Sequence, residues 1–137
     1  SYCKENFNLK EKPPQRPTDA ELAILRVIWQ YGPGTVRQIW EKLSPARQTG
    51  YTTVLKLLQI MTEKGLVKRD ERQRTHIYHA RLTQDQTQSQ LVKDLLDRAF
   101  GGSAHKLVMH ALAAKKASKS DLAQIQQLLE KIEGGEQ

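Results

Sequence analysis

Between residues 44 and 82 there are eight lysine and arginine side chains but only three acidic ones. Ammonium and guanidinium groups pair with phosphate oxygens, and neutralising several phosphates together gives a strong, salt-dependent affinity for nucleic acid. The same stretch contains a run of polar side chains that can donate to phosphates or meet base edges: Gln48, Thr49, Tyr51, Thr52 and Thr53. These residue types predict a surface that binds a polyanion and can read its sequence.

The positions of the basic and polar residues along the chain predict different roles in DNA contact. Lys56 and Gln59 follow the start of an expected helix by one and two turns, where they can reach guanine and adenine edges. Arg72 and Arg74 fall in an expected hairpin tip, which can grip phosphates or enter a minor groove. The full set of residues that we expect to contact duplex DNA is Arg47, Gln48, Thr49, Tyr51, Thr52, Thr53, Lys56, Gln59, Arg72, Arg74 and His76.

The distribution of charge supports this interpretation. Residues 1–82 carry 15 Lys and Arg and 8 Asp and Glu, while residues 83–137 carry 7 of each, so the whole formal charge of +7 lies in the first part. A charge confined to one part of a chain indicates a module that faces a polyanion. The alternative reading is a small helical domain with a basic, solvated face.

Histidine and cysteine positions argue against a metal centre. His76 and His79 are three apart in an expected strand and therefore point to opposite faces. His105 and His110 are five apart on an expected helix, about 140° apart around its axis. The only cysteine is Cys3, and no nucleophile with a base, phosphate-cradling glycine loop or inward carboxylate pair is found. We therefore expect no metal, no cofactor and no enzymatic activity.

Three short helices are expected to come first in the folded chain. Capping boxes, in which a Thr and a Glu or Gln three residues later bond the first free amides, occur at Thr18 with Glu21 and at Thr35 with Gln38. Gly32, as a left-handed cap before a proline, is expected to end the first helix. The apolar residues that should pack inward from the first two helices are Leu22, Ile24, Leu25, Ile28, Trp29, Val36, Ile39, Trp40 and Leu43.

A third helix over residues 51–64 is expected to carry the reading face. Its apolar residues at helical spacing should pack inward: Val54, Leu57, Leu58 and Met61. Residues 66–69 and 76–79 alternate like paired strands, with residues 70–75 as the hairpin tip. A helix with a polar face beside a basic hairpin is the arrangement that a winged helix-turn-helix uses to dock on duplex DNA.

Residues 83–137 predict three more helices, the first opened by a capping box at Thr83 and Gln86 and ended at Gly101 and Gly102. Each helix is apolar on one side, and about 55 residues cannot bury three such faces alone. The simplest partner is a second copy of the chain. The residues expected to form this dimer contact are Leu91, Leu95, Leu96, Phe100, Leu107, Val108, Leu112, Leu122, Ile125 and Leu129.

The predicted fold is mainly α, with three domains in chain order. Residues 1–17, which hold three of the five prolines, form a flexible arm or a partly non-native addition, residues 18–82 a winged helix, and residues 83–137 a dimerisation domain. No apolar run approaches the ~20 residues of a membrane span, and no signal-peptide pattern appears. A single cysteine suits a reducing compartment, so we expect a cytoplasmic, nucleoid-associated protein without membrane insertion.

Taken in order, the motifs resemble those of the BlaI/MecI/CopY penicillinase-repressor family. The matching segments are Thr18-Asp19-Ala20-Glu21-Leu22 with Leu25 and Trp29, Gly32-Pro33-Gly34-Thr35-Val36-Arg37, Tyr51-Thr52-Thr53-Val54, Lys64-Gly65-Leu66-Val67, Ile77-Tyr78, and Phe100-Gly101-Gly102-Ser103 with Leu107-Val108. The resemblance covers about residues 18–132. It implies a homodimeric transcriptional repressor that binds a dyad-symmetric operator over a promoter, with antibiotic-resistance or envelope-stress genes as typical targets. By position, the family's groove-facing helix and wing would correspond to Thr52, Thr53, Lys56, Gln59, Arg72 and Arg74.

The resemblance also implies a way to relieve repression. In the best-known members a membrane metalloprotease sensor triggers cleavage in the fifth helix, which frees the operator. The corresponding bond here joins His110 to Ala111, where those members have Asn-Phe. The copper-responsive branch carries a Cys-x-Cys pair near its C-terminus, and the absence of cysteines beyond Cys3 argues against copper sensing.

Two further hypotheses stay open at this point. A ligand-responsive winged-helix regulator would have an enclosed cavity between its DNA-binding and dimerisation regions. A protein-interaction module that does not act on DNA could use the same helices as a scaffold, and it would give no sequence-selective shift of DNA in an electrophoretic assay.

Overall fold

The computed structural model describes residues 15–43 and 45–135. The elements in these residues are α1 (Asp19–Tyr31), α2 (Val36–Lys42), a 3-10 turn (Pro45–Arg47), α3 (Tyr51–Lys64), β1 (Val67–Asp70), β2 (Ile77–Ala80), α4 (Gln84–Ala99), α5 (Ala104–Ala114) and α6 (Lys119–Glu133). The prediction of a mainly helical chain with a small antiparallel wing is confirmed. The predictions for residues 1–14, including Cys3, and for Ser44 lie outside the described residues.

Two compact units make up the chain, one ending at Leu91 and the other beginning at Val92. This division falls within α4, so the helix belongs partly to each unit. The functional boundary that we expect after residue 82 stays a prediction.

Capping confirms where α1 and α2 begin. The Thr18 amide donates to Glu21 Oε1 at 2.8 Å and the Glu21 amide donates to Thr18 Oγ1 at 3.3 Å. The Thr35 amide donates to Gln38 Oε1 at 2.9 Å, and the Gln38 amide returns the bond to Thr35 Oγ1 at 3.1 Å. Both helix starts were therefore encoded locally, in four residues each.

The end of α1 differs from the prediction. Gly32 has φ +93° and ψ 173°, which is an extended conformation at positive φ and not the expected left-handed helical cap. The physical reason lies two residues on, where Gly34 forms a bridge with Tyr78 of β2. The Gly34 amide donates to the Tyr78 carbonyl at 3.3 Å, and the Tyr78 amide donates back at 2.9 Å. The chain must leave α1 extended to reach that bridge.

The core of the first unit lies between α1, α2, α3 and the wing. Val54, Leu58 and Met61 of α3 are fully buried, as their spacing predicts. The buried apolar residues that complete the core are Ile24, Leu25, Val27, Ile28, Ile39, Leu66, Val67 and Tyr78. This core fixes α3 against the rest of the unit through one face and leaves its other face exposed.

The wing is a two-stranded antiparallel sheet, with Arg69 opposite Tyr78 and Asp70 opposite Ile77. Each strand starts one residue later than predicted. Leu66 was assigned to the first strand, but its amide donates to the Met61 carbonyl at 2.9 Å, so it belongs to the turn that closes α3. Gly65 makes this turn possible, because its φ of +81° and ψ of 18° are left-handed.

In the second unit, the two further helices that we expect after Gly102 are present as α5 and α6. The Gly102 amide donates to the Leu96 carbonyl at 2.8 Å, which closes the end of α4. Ser118 and Asp121 form a capping box at the start of α6 that the sequence reasoning overlooked. Within the described residues, neither α5 nor α6 contains a buried side chain.

None of the helices formed by residues 15–43 and 45–135 combines the length and apolar character needed to cross a bilayer.

Candidate nucleic-acid interface

The reading face of α3 is a row of exposed polar side chains opposite its buried residues. Four predicted contact residues lie on it: Thr52, Thr53, Lys56 and Gln59. They project from a helix whose other face is fixed in the core by Val54 and Leu58. Exposed donors on a rigid helix can hydrogen-bond base edges in a major groove, which is wide enough to admit a helix.

Backbone amides at the start of α3 add further donors. Gly50 is the N-cap residue and provides no side-chain cap, and the first turn contains no acidic residue. The first intrahelical bond runs from the Val54 amide to the Gly50 carbonyl at 3.1 Å. The three amides before Val54 therefore lack intrahelical acceptors, and together with the helix dipole they favour an anion such as phosphate.

Gln48, just before α3, has φ +50°. Non-glycine residues rarely adopt this left-handed region, because it costs about 1–2 kcal/mol. The Gln48 amide donates to the Pro45 carbonyl at 3.1 Å, which helps to hold the turn in this shape. Gln48 thus helps the chain to change direction between α2 and α3.

Aromatic contacts fix the first turn of α3. The ring of Tyr51 meets the ring of Trp40 edge-on, with 5.9 Å between centroids. Trp40 Nε1 also donates to the Thr49 carbonyl at 3.0 Å. On the same Tyr51 ring, the Arg37 guanidinium carbon lies 5.5 Å from the centroid. Arg37 of α2 is thereby placed beside the start of the reading helix.

A polar cleft of about 470 Å³, called here the wing cleft, separates the starts of α2 and α3 from the wing. Its lining residues are Thr35, Val36, Arg37, Tyr51, Leu55, Arg74, Thr75, His76 and Tyr78. Three predicted contact residues, Tyr51, Arg74 and His76, therefore meet in one place. Two arginines and no carboxylate line the wing cleft, so it suits a phosphodiester backbone.

The two acidic residues of the wing are each engaged by an arginine. Arg72 forms a two-pronged contact with Asp70, with Nη2 to Oδ2 at 2.7 Å and Nε to Oδ1 at 3.0 Å. Hydrogen bonds from the side chain and the backbone of Arg72 lower the pKa of Asp70 to about 2. Arg69 similarly pairs with Glu71. Arg74 has no acidic partner among the described residues, so it remains open to a phosphate.

Arg47 is the predicted contact residue that the structure places elsewhere. It lies in the 3-10 turn and lines a second cleft, between α1 and the end of α2, together with Arg26 and Lys42. No residue of α3 lines this cleft. The role of Arg47 in DNA contact stays a prediction.

The residues predicted for dimer contact lie on the one-sided faces of α4, α5 and α6. Leu95, Val108, Leu112, Leu122 and Leu129 are exposed large hydrophobic side chains, and so are the neighbouring Val92, Met109, Leu128 and Ile132. The others are half-buried: Leu91, Leu96, Phe100, Leu107 and Ile125. The role of these side chains in a dimer contact stays a prediction.

His110 and Ala111, the residues of the candidate cleavage bond, are exposed on α5. The ring of His110 lies 5.6 Å from the ring of Phe100, which joins α5 to the end of α4. Since the bond lies inside a regular helix, a protease would have to open that helix locally to reach it.

Sequence reasoning missed two residues near this interface. Arg37 was noted only as part of a motif, and the local sequence carries no signal for its role, because its contact with the Tyr51 ring joins two different helices. Glu21 was treated as a cap alone, whereas it also forms an ion pair with Lys64 at 2.6 Å. The sequence carries no signal for that second contact, because the partners are 43 residues apart.

Comparisons with known proteins identify a family and several relatives of this chain. The model of the penicillinase repressor family matches residues 17–131. A protein named transcriptional regulator BlaI from Mycobacterium tuberculosis is 32% identical over 119 residues, and the alignment covers 85% of this chain and 85% of that protein. The penicillinase repressor of Bacillus licheniformis is 21% identical over 113 residues, 82% of this chain and 88% of that protein.

Among solved structures, the DNA-binding domain of the repressor BlaI aligns with a TM-score of 0.47 and 22% identity, over 54% of this chain and 90% of that one. The BlaI monomer of Bacillus licheniformis in complex with the blaP half-operator aligns with a TM-score of 0.46 and 24% identity, over 54% of this chain and 89% of that one. The family match spans both units of the present chain, and the mycobacterial relative is covered over most of its length. The chain therefore belongs to the penicillinase repressor family.

Proposed function

We propose that this protein is a sequence-specific transcriptional repressor that binds a dyad-symmetric operator as a homodimer. Membership of the penicillinase repressor family supports the repressor role. The single observation that carries the proposal is the combination of an exposed polar face on α3 with the wing cleft beside it. The four side chains of that face would read bases, and Arg37 and Arg74 would hold the backbone on the wing side.

The second unit would supply the dimer. The apolar faces of α4, α5 and α6 are exposed in the single chain, and a second copy offers the same faces in return. Several leucine-sized side chains would be buried, each worth roughly 1.5–3 kcal/mol when fully covered. A stable dimer is the expected result, built from residues 83–137, which carry no net charge.

Repression would work by occlusion. Two winged helices held about one DNA turn apart, ~34 Å, would occupy successive major-groove segments of a promoter and exclude polymerase. Linking the two sites raises the effective concentration of the second winged helix once the first has bound. Affinity for the operator would therefore depend on the dimer as much as on the contacts of one protomer.

Relief of repression would follow from a signal that breaks the dimer. Cleavage between His110 and Ala111, triggered by a membrane metalloprotease sensor, is one such signal, because it would separate α6 and four of the ten predicted dimer-contact residues from the winged helix. The protein would act in the cytoplasm, at the nucleoid. No catalytic role and no cofactor are proposed for the chain itself.

An electrophoretic mobility shift with fragments of the source genome, at ~150 mM salt and with excess random competitor DNA, tests the proposal. A repressor shifts a small subset of fragments, whereas a protein-interaction module shifts none selectively. Uniform, competitor-sensitive binding to all fragments would reject sequence-specific repression.

A further inference from the structure

The carboxylate of Glu21 connects the start of α1 to the end of α3. Its Oε1 accepts from the Thr18 amide at 2.8 Å and from Lys64 Nζ at 2.6 Å. Only 2% of the Glu21 side chain and 18% of the Lys64 side chain are exposed. One buried oxygen therefore closes the cap of α1 and fixes the last residue of the reading helix.

The same end of α3 is held by two further bonds. The Gln15 amide donates to the Lys64 carbonyl at 3.2 Å. Arg81, just after β2, donates from Nη1 to the Gly65 carbonyl at 3.0 Å. The turn between the reading helix and the wing is thus bonded from the α1 side and from the far strand of the wing.

Apolar packing alone would hold α3 in place, since Val54, Leu58 and Met61 are fully buried. A buried ion pair adds little net stability, because the cost of removing both charges from water largely cancels their attraction. Burial opposes ionisation of Glu21, but hydrogen bonds from Lys64 and Thr18 prevail and hold its pKa below the ordinary value. Glu21 is therefore ionised at neutral pH, and its contact with Lys64 Nζ adds a directional bond between α1 and α3 to the apolar packing.

We infer that Glu21 and Lys64 are positioning residues that set the axis of α3 relative to the wing, so that the reading face and the wing cleft engage one duplex together. This inference rests on the proposed function. Glu21 acts through Lys64 and touches no DNA in this scheme. Buried ionic groups that specify geometry rather than stability have precedents in other proteins.

The test replaces both charges while keeping the fold. In the double variant Glu21→Gln with Lys64→Met, the new amide oxygen can still accept from the Thr18 amide, and the methionine fills the space of the lysine stem. The affinity of the whole chain is measured on two DNA duplexes of about 30 base pairs, at ~150 mM salt. One duplex contains the operator identified by footprinting, and the other is a shuffled sequence of equal composition. Ile24→Val serves as a control that removes buried volume from α1 and leaves the ion pair intact.

The expected result is a loss of about ten-fold in the operator-to-shuffled ratio for the double variant, with unchanged affinity for the shuffled duplex and a melting temperature at or above that of the wild type. The Ile24→Val control should melt lower and keep the wild-type ratio. A double variant that keeps the wild-type ratio would overturn the inference alone. A wild-type chain without operator preference would overturn the proposed function and the inference with it.

Two single variants keep the inference testable if the double variant fails to fold. Lys64→Arg retains the charge and should retain the operator-to-shuffled ratio. Glu21→Gln removes one charge at an unchanged shape, and it should lower the ratio in the same direction as the double variant. Equal ratios for Glu21→Gln and the wild type would contradict the positioning role.

Discussion

The guanidinium carbon of Arg37 lies 5.5 Å from the centre of the Tyr51 ring, and this contact joins the start of α2 to the start of α3. Both residues line the wing cleft. A guanidinium over an aromatic face keeps its N–H groups free at the edge, where they can meet an anion. Arg37, Tyr51 and Arg74 therefore line the same cleft.

Replacing Arg37 with Ala should weaken binding to every duplex by a similar factor. The side chain is expected to meet phosphate and not bases, so the slope of log affinity against log salt should flatten by roughly one unit. Arg26→Ala is a matched control, because Arg26 is an exposed arginine on α1 that does not line the wing cleft. A salt slope identical to that of the wild type would exclude Arg37 from phosphate contact.

Asp70→Asn should have the opposite effect on non-specific binding. The substitution removes the carboxylate that holds Arg72, so the freed guanidinium should add a phosphate contact and steepen the salt slope by roughly one unit. Affinity for shuffled DNA should rise, as measured by fluorescence anisotropy. If Asp70→Asn and the wild type bind shuffled DNA equally, the ion pair does not restrain Arg72.

The pH dependence of this effect follows from the lowered pKa of Asp70, about 2. A carboxyl group with a depressed pKa keeps its stabilising charge above the ordinary value of 3.8 and loses it only as the pH falls towards the depressed one. Between about pH 5 and pH 8 the pair stays ionised, so the difference between Asp70→Asn and the wild type should be constant. A difference that changes across this range would assign the effect to another group.

Lys56→Ala should relax sequence preference. Lys56 is exposed on the reading face, where an ammonium group can donate to guanine acceptors, a contact worth about 1–3 kcal/mol of discrimination. Affinity for the operator should therefore fall more than affinity for shuffled DNA, while Lys106→Ala on α5 should change neither. Equal losses on both duplexes would make Lys56 a phosphate contact.

Leu129→Glu should convert the proposed dimer to monomers. Leu129 is 51% exposed on the apolar face of α6, and a carboxylate there would have to be buried without a partner in the dimer. Sedimentation velocity at micromolar concentration measures the change, with Gln127→Glu on the opposite side of the same helix as the control. A dimeric Leu129→Glu protein would move the subunit contact away from α6.

Much of the fold could be predicted because its signals are local. The bounds of α3 follow from the apolar spacing of Val54, Leu58 and Met61 and from Gly65 at its end. Three capping boxes each depend on two residues three positions apart, and the hydrogen bonds of all three are present. Exposure of the reading face follows from the same periodicity.

The remaining features depend on residues that are distant in sequence. The bridge between Gly34 and Tyr78 determines how α1 ends, and no pattern near Gly32 indicates it. The contact between Glu21 and Lys64 likewise joins separate helices. The engagement of Arg72 by Asp70 is local, but a choice between that carboxylate and a phosphate requires the geometry of the hairpin. Roles of individual residues in DNA contact and in dimerisation stay predictions.

Footprinting of the purified chain across the region upstream of its own gene tests the central claim most directly. The account predicts two protected half-sites related by a dyad, centred about 10 base pairs or a small multiple of one turn apart, and protected together over a single range of concentration. Protection of isolated half-sites by a monomeric protein, or no protection distinguishable from that of random DNA, would contradict it.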